Sequence, residues 1–555
     1  MTTTEERPAK RSVSLKRDIG VIGLLWASMG SIIGSGWLFG AQKALYTAGP
    51  AAIISWVIGG VAILILALVH AELGAMYPVS GGSARFPHYA FGGVAGASFG
   101  WFSWLQAATV APIEVSAVIL YMSHYSIASG WLHDDETLTA SGLAVAVVLM
   151  AILSSVNFLG IRILANVNSA ATWWKVGVPL LTIFVVSLSN FHTSNFTAAN
   201  GFSPAGAHGV LAAVATSGVI FAYLGFEQAD QLAGESKNPK RDIPLAVIGS
   251  IVLGLIIYIA LQIAFIGALP SDAIGHSWLT TPEAAAGTSL FNAFSAPWAE
   301  IAAAVSIGWL ASLLYFDAVI SPAGTGLIYT AATSRVSYGL SRNGYVPTGF
   351  EKLNNRGVPW LGVITSFVIG CICFLPFPSW QSLIGLITAA SVLMYAGAPL
   401  SFGVFRNRLP DVPRPYRTPA GQVMSPLAFI VANFIILWSG WETAWKLGIA
   451  ILIGYVILIV NRVFNLNPIT PVLDWKAAQW LPFYLVGAGL IVYLSDYGPL
   501  SDPVFPLWWD MVVMAVFSLI IYYWAQMVAL SRQQIEQMIN EVVVPEEENL
   551  ATPLE

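Results

Sequence analysis

The chain has 555 residues, 56% of them hydrophobic and 10% charged, where a soluble domain carries about 25% charged residues. Mean hydropathy is +0.72 and the isoelectric point lies near 5.8. With no Lys/Arg tract in the chain, these values exclude a string of soluble domains and a nucleic-acid binder. The apolar content suffices for roughly fourteen crossings of about 20 residues each, so the chain reads as an all-α polytopic membrane protein.

In chain order, residues 1–17 are polar and precede a first span too long for a signal-peptide core, so this segment is expected to be retained on the cytoplasmic side. Helical spans follow at about 20–45, 51–76, 94–123, 141–160, 168–189, 207–229, 244–268, 298–333, 359–377, 383–404, 425–441, 444–461, 479–495 and 507–530. Residues 18–190 and 205–405 form two halves of five spans each. Residues 424–531 add four more, and 532–555 form an acidic cytoplasmic tail with Glu546, Glu547 and Glu548. The 24 basic residues set the orientation. With both termini cytoplasmic, all fall on the inner side except Lys43 and Lys446 outside and Lys175 within a span. Asn195-Phe196-Thr197 fits a glycosylation acceptor, and so does chance. The two cysteines, Cys371 and Cys373, point in different directions on a helix and imply neither a disulfide nor a metal site. No phosphate-binding Gly-x4-Gly-Lys-Ser/Thr loop, no His-Glu-x-x-His and no other catalytic or metal constellation is present, so ATP-driven pumping and an enzyme both lack a signature.

Two spans carry helix breakers at membrane depth. The first contains Gly30-Ser31-Ile32-Ile33-Gly34-Ser35-Gly36; the sixth contains the string Ser217 to Glu227, where a glycine again sits mid-membrane and is followed by a carboxylate. Glycines weaken a helix where its peptide groups most need partners; close packing through small residues would also account for them. The two spans run in opposite directions at corresponding positions of the two halves, the pattern that points to a transporter binding site. Freed amides suit a carboxylate and freed carbonyls an ammonium, which together describe an α-amino acid.

At these residues the chain resembles the amino acid–polyamine–organocation superfamily. Gly30 to Phe39 is similar to its first-helix motif, Ala71 to Gly82 to its second-helix motif, and Phe221 to Glu227, Glu235 to Pro239 and Arg342 to Pro347 to later motifs in the same order. The resemblance covers about residues 15–410. It implies a leucine-transporter-like five-plus-five inverted repeat with broken helices one and six, and secondary transport of an amino acid or related amine. By position it implies that Ser35 and Gly36 offer amides to the substrate carboxylate, and that the carbonyls of Ile32, Phe221 and Leu224 receive its ammonium. Phe221 gates the site, and Gly34, Ala222 and Gly225 complete the substrate-binding set. Glu227 is either a structural tie for the unwound segment or a proton site.

Ionisable residues within spans need a reason, because each costs about 2.5–3.5 kcal/mol on insertion scales. Lys175 falls where proton-coupled relatives carry a lysine in place of sodium. It supplies a fixed cation that would repel sodium, or it snorkels to the interface. Glu114 in span three and Asp317 in span eight are candidates for pairing with Lys175, for carrying a proton, or for meeting a cationic substrate. Gln106 stands where many relatives have glutamate. His70 and His88 are expected to flank an inner loop at the interface. The expected function is import of an amino acid (aspartate among the candidates) coupled to protons, by alternating access in the plasma membrane. An exchanger without net ion coupling is the alternative. No cofactor is expected, sodium is disfavoured, the only partners expected are substrate and lipid, and the protein is a monomer or homodimer.

Overall fold

The computed structural model describes residues 19–78, 82–159, 161–233, 236–270, 274, 278, 295–376 and 379–540, with the side chains of 82–84 and 161–170 outside that description. The arm 1–17, the acidic tail at 546–548, much of the loop around 269–297, and Val79, Ser80, Gly81 and Glu235 of the matched motifs lie outside the described residues.

The described residues form helices and short turns. The first expected span is α1 (Val21–Ile32) and α2 (Gly36–Ala48), followed by α3 (Ala52–Met76), the short α4 (Gly82–Phe91), α5 (Gly93–Met122), α6 (Ala140–Asn157) and α7 (Ile161–Ser189). The sixth span is three pieces, α8 (Gly206–Thr216), α9 (Val219–Tyr223) and α10 (Glu227–Gln231). Then come α11 (Pro239–Ala268), α12 (Pro297–Ala304), α13 (Gly308–Arg342), α14 (Trp360–Cys373) and α15 (Trp380–Arg408). The chain continues through α16 (Gly421–Trp438), α17 (Gly440–Val463), α18 (Trp480–Leu494) and α19 (Trp509–Val528).

Local chemistry sets several of the starts. Thr139 accepts the Gly142 amide at 3.1 Å and begins α6. Ser379 and Ser382 bond reciprocally as a capping box for α15. Proline occupies the first turn of α11 and α12, where a missing N–H costs nothing.

Ten helical stretches among the described residues are long and apolar enough to cross a membrane, and four shorter apolar helices accompany them. The protein is a multi-pass membrane protein. α15 is buried along its whole apolar length and α5 along most of its own; these two, with α13, form the centre around which the others pack. Leu180, Phe184 and Leu188 of α7 and Leu452, Val456 and Ile459 of α17 face outward. An exposed apolar stripe of that kind is what a helix presents to hydrocarbon.

Three expectations need correction. The range 298–333 is not one helix: Val305-Ser306-Ile307 separates α12 from α13, with Ser306 at φ +64°, and α13 runs on to Arg342. The positive φ falls on Ser306 rather than on the glycine beside it, Gly308, which opens α13. The sixth span breaks twice, at Gly218 (φ +87°) as well as at Leu224-Gly225. The expected spans 425–441 and 444–461 are two helices, α16 and α17, joined by a single tight turn at Ser439-Gly440. Asn195 is no glycosylation acceptor in the folded chain. It is buried, and its amide donates to the carbonyls of Ile266 and Leu269 at 2.9 Å each.

Candidate functional site

The two interrupted helices meet at their breaks. α1 ends at Ile32, and Ile33 (ψ 86°) turns the chain before α2 resumes at Gly36. On the other strand of the break, Leu224 is extended and Gly225 takes φ +121°. A Cβ at Gly225 would lie 2.6 Å from the Ser31 Cβ and 2.9 Å from the Ile32 amide nitrogen. Glycine is therefore demanded twice, by backbone angle and by space. Gly225→Ala is expected to destabilise the protein by about 3 kcal/mol, read as a lowered thermal unfolding midpoint of the purified protein in detergent. Further ties fix the crossing: the Ser28 hydroxyl donates to the Phe226 carbonyl at 3.2 Å, and the Tyr258 hydroxyl to the Ile32 carbonyl at 2.9 Å.

Beside the breaks lies a small cavity lined by Ser31, Ile32, Gly34, Val110, Glu114, Phe221, Leu224, Thr325, Tyr329 and Ile387. Five of the expected residues line it: Ile32, Gly34, Glu114, Phe221 and Leu224. Gly36 and Ala222 instead let α2 and α9 touch, with a Cβ at Gly36 only 3.0 Å from that of Ala222. Phe221 forms one wall of an aromatic cluster. Its ring meets Trp380 edge-on at 6.2 Å, Trp380 lies 4.9 Å from Phe39, and the Trp380 indole donates to the Ser35 hydroxyl at 3.0 Å. Beyond this cluster Lys43 holds both oxygens of Glu136 at 2.8 Å.

The amide of Ser35, at the start of α2, does not stand open. It donates to the Glu114 carboxylate at 2.9 Å, so an internal carboxylate already occupies the end of the half-helix dipole. The second Glu114 oxygen is buried without a hydrogen-bond partner. Gly34 makes this possible, since a Cβ there would sit 2.5 Å from that oxygen and 3.0 Å from the Thr325 hydroxyl. Two of the three expected carbonyls are also engaged: Ile32 accepts from Tyr258, and Phe221 from the Leu224 amide at 3.1 Å.

Lys175 does not snorkel. It is fully buried, and its ammonium donates to the Gly30 carbonyl and the Thr325 hydroxyl at 2.7 Å each. Thr325 in turn donates to Gly30 at 3.2 Å. The ammonium thus satisfies the carbonyl that the unwinding of α1 leaves behind, with Thr325 between it and Glu114. No direct ion pair joins Lys175 to either expected carboxylate among the described residues. Asp317 lies away from the cavity, its Oδ1 bonded by the Trp174 indole at 2.8 Å and the Ser321 hydroxyl at 2.6 Å.

Glu227 heads α10 and accepts four hydrogen bonds. They come from the Gly225 amide (2.9 Å), Tyr395 (2.6 Å), Tyr329 (3.1 Å) and Gln106 (3.2 Å). Gln106, which departs from the superfamily pattern, is therefore one of its anchors. His70 is not interfacial. It is fully buried, donates or accepts at the Leu66 carbonyl (2.9 Å), and packs edge-on against Phe226 and Tyr395. His88 bonds the Tyr345 hydroxyl at 2.9 Å.

Sequence reasoning missed Thr325, Tyr329, Trp380 and Asp230. The Gly324-Thr325-Gly326 string in span eight, a hydroxyl between two glycines as in span one, was a usable signal. So was Asp230, one helical turn beyond Glu227. Nothing local marks Trp380, which reaches Ser35 from 345 residues away in sequence.

The sequence profile of the Amino acid permease family matches residues 19–471. The chain is 39% identical to the glutamate/serine transporter AimA of Bacillus subtilis (strain 168), over 92% of this chain and 94% of that protein. It is 34% identical to the aspartate-proton symporter of the same organism, over 94% of this chain and 98% of that protein. The branched-chain amino acid permease BcaP, also of that organism, is 28% identical over 80% of this chain and 92% of its own. A profile match across most of the length, together with two relatives above 30% identity aligned over 92% and 94% of the chain, decides the family: the chain belongs to the amino acid permeases, a family of transporters.

Proposed function

We propose that this permease imports an acidic or small polar amino acid together with protons across the plasma membrane. On this reading fourteen crossings, with both termini cytoplasmic, form a five-plus-five inverted repeat at 18–190 and 205–405, followed by four added helices at 424–531 and a cytoplasmic tail at 532–555. Alternating access comes from the broken helices rocking against the rest.

The observation that carries the proposal is the Glu114–Ser35 bond beside the Lys175–Gly30–Thr325 contacts in one buried place. A substrate carboxylate needs the amides at the start of α2, and Ser35 is held there by Glu114. A proton on Glu114 removes the charge from that hydrogen bond and about halves its strength, so protonation and substrate binding favour the same state. Such coupling is reciprocal. Lys175 supplies a fixed positive charge against the end of α1, so sodium is not needed and is repelled. Substrate ammonium would then meet the carbonyls of Ile32, Phe221 and Leu224, with Phe221 closing over it. The names of the glutamate/serine transporter and the aspartate-proton symporter support glutamate, serine and aspartate as the substrates to test.

Proteoliposomes given labelled aspartate, glutamate, serine, alanine or arginine separate the readings. One or more of the first three should accumulate under an inward proton gradient, by about tenfold per pH unit for each proton moved, and sodium should add nothing. Uptake that needs only internal substrate would make the protein an exchanger. Sodium-driven uptake would overturn the role given to Lys175.

A further inference from the structure

Asp230 lies on α10, one turn beyond Glu227, and is fully buried. Among the described residues it is the only carboxylate with both oxygens buried and without a hydrogen-bond partner. Its place is made by Gly74 of α3, where any Cβ would collide with Asp230 Oδ1; Ile243 of α11 closes the same space. An ionised carboxylate in this setting would cost far more than any contact it makes, so Asp230 carries its proton here. As a neutral acid it packs against Gly74 without a hydrogen bond to the described residues, and an apolar side chain would fill that space at lower cost.

Its surroundings connect it to the cavity. Tyr329 lines the cavity and donates to Glu227 Oε1 at 3.1 Å, and Glu227 and Asp230 share a face of α10 at i, i+3 spacing. Glu227, with four donors and nothing to donate to, has the bonding of an ionised carboxylate. An ionised and a neutral acid thus stand one turn apart on the short helix that follows the Gly225 break.

The other titratable groups on the elements packed against α10 are largely committed. On α3, Glu72 is held by Arg406, Arg414 and the Thr418 amide. His70, also on α3, keeps a buried Nε2 without a partner. α4 brings Arg85 and His88, the latter bonded to Tyr345. α11 brings Asp242, which accepts from Ser236 at 3.4 Å and the Asn238 amide at 3.3 Å. α1 carries no titratable side chain.

We propose that Asp230 is a second proton-binding site of the transporter, linked to the substrate cavity through Glu227 and Tyr329. It gives up its proton when α10 moves away from Gly74. The step is a simple transfer: the O–H bond at Asp230 breaks and one forms on water, or on Glu227 once one of its donors turns away, with no change of oxidation state. This rests on the proton-symport reading for its role in transport, though not for the existence of the proton.

The test uses Asp230→Asn, a near-isosteric group that cannot release a proton, and Gly74→Ala, which presses a methyl on the carboxyl without changing charge. In proteoliposomes Asp230→Asn should keep counterflow exchange of the transported amino acid and lose proton-driven accumulation, about tenfold for each pH unit of gradient. Gly74→Ala should shift the pH dependence of uptake. Accumulation and pH profile like wild type in both variants would overturn the proposal. Infrared difference spectra of the wild type on alkalinisation should show loss of a carboxylic-acid carbonyl band that is absent from Asp230→Asn, or altered in Gly74→Ala should the asparagine variant not fold. No such band would overturn it as well. If wild type itself fails to accumulate substrate with protons, the symport reading falls, and the infrared experiment still decides whether Asp230 holds an exchangeable proton.

Discussion

Lys175→Ala is expected to abolish concentrative uptake, with at least about a hundredfold loss of initial rate. The ammonium makes two hydrogen bonds, to the Gly30 carbonyl and to Thr325, both 2.7 Å and both buried. Hydrogen bonds to a charged group contribute about 1.5–3 kcal/mol each. Alanine also leaves the carbonyl at the unwinding end of α1 with only the 3.2 Å bond from Thr325. The measurement is labelled uptake into proteoliposomes under a proton gradient, with size-exclusion profile and thermal midpoint as controls for folding. A sodium gradient that restored uptake in Lys175→Ala would show that the space accepts a cation in the lysine's stead. Wild-type accumulation in the variant would remove Lys175 from the mechanism.

Glu114→Gln should separate accumulation from exchange. The glutamine carbonyl can still accept the Ser35 amide, so the break keeps its geometry, yet the side chain can no longer take up or release a proton. Proton-driven accumulation should fall by about tenfold per pH unit of gradient, and acidification should stimulate uptake less than in wild type. A neutral acceptor holds Ser35 less tightly than a carboxylate does. The competitor for the substrate carboxylate is weakened, and the KM for exchange should fall. A raised KM with intact accumulation would mean that Glu114 binds substrate directly and that the coupling proton resides elsewhere.

The membrane class, the approximate helix ranges and the two helix interruptions were legible from composition and breakers, because hydrocarbon demands long apolar helices and leaves few places for a glycine pair. Lys175 and Glu114 stood out for the same reason, as charges where charge is expensive. Asp317 stood out equally and proved to bond Trp174 and Ser321 away from the cavity; a one-dimensional pattern shows that a residue lies at membrane depth and not which way its side chain turns. His70 was assigned to the interface because it falls near the end of an apolar run. It is covered by Phe226 and Tyr395, from helices far along the chain. The turn between α12 and α13 was missed because the residue that takes the positive φ is Ser306 and not the nearby Gly308, a lone glycine in an otherwise continuous apolar run.

By itself, then, the sequence determined that this chain crosses a membrane many times, where its helices fail, and which few charges lie between them. These are properties of local composition and of the bilayer as solvent. Only the tertiary structure decided that Glu114 caps Ser35 from 79 residues away, that Lys175 reaches Gly30 from 145, and that Trp380 closes over both breaks. It also decided that Asp230 is buried against a glycine with no donor. Partners for polar groups inside a membrane come from other helices, and which helices those are depends on packing between segments that no local pattern encodes.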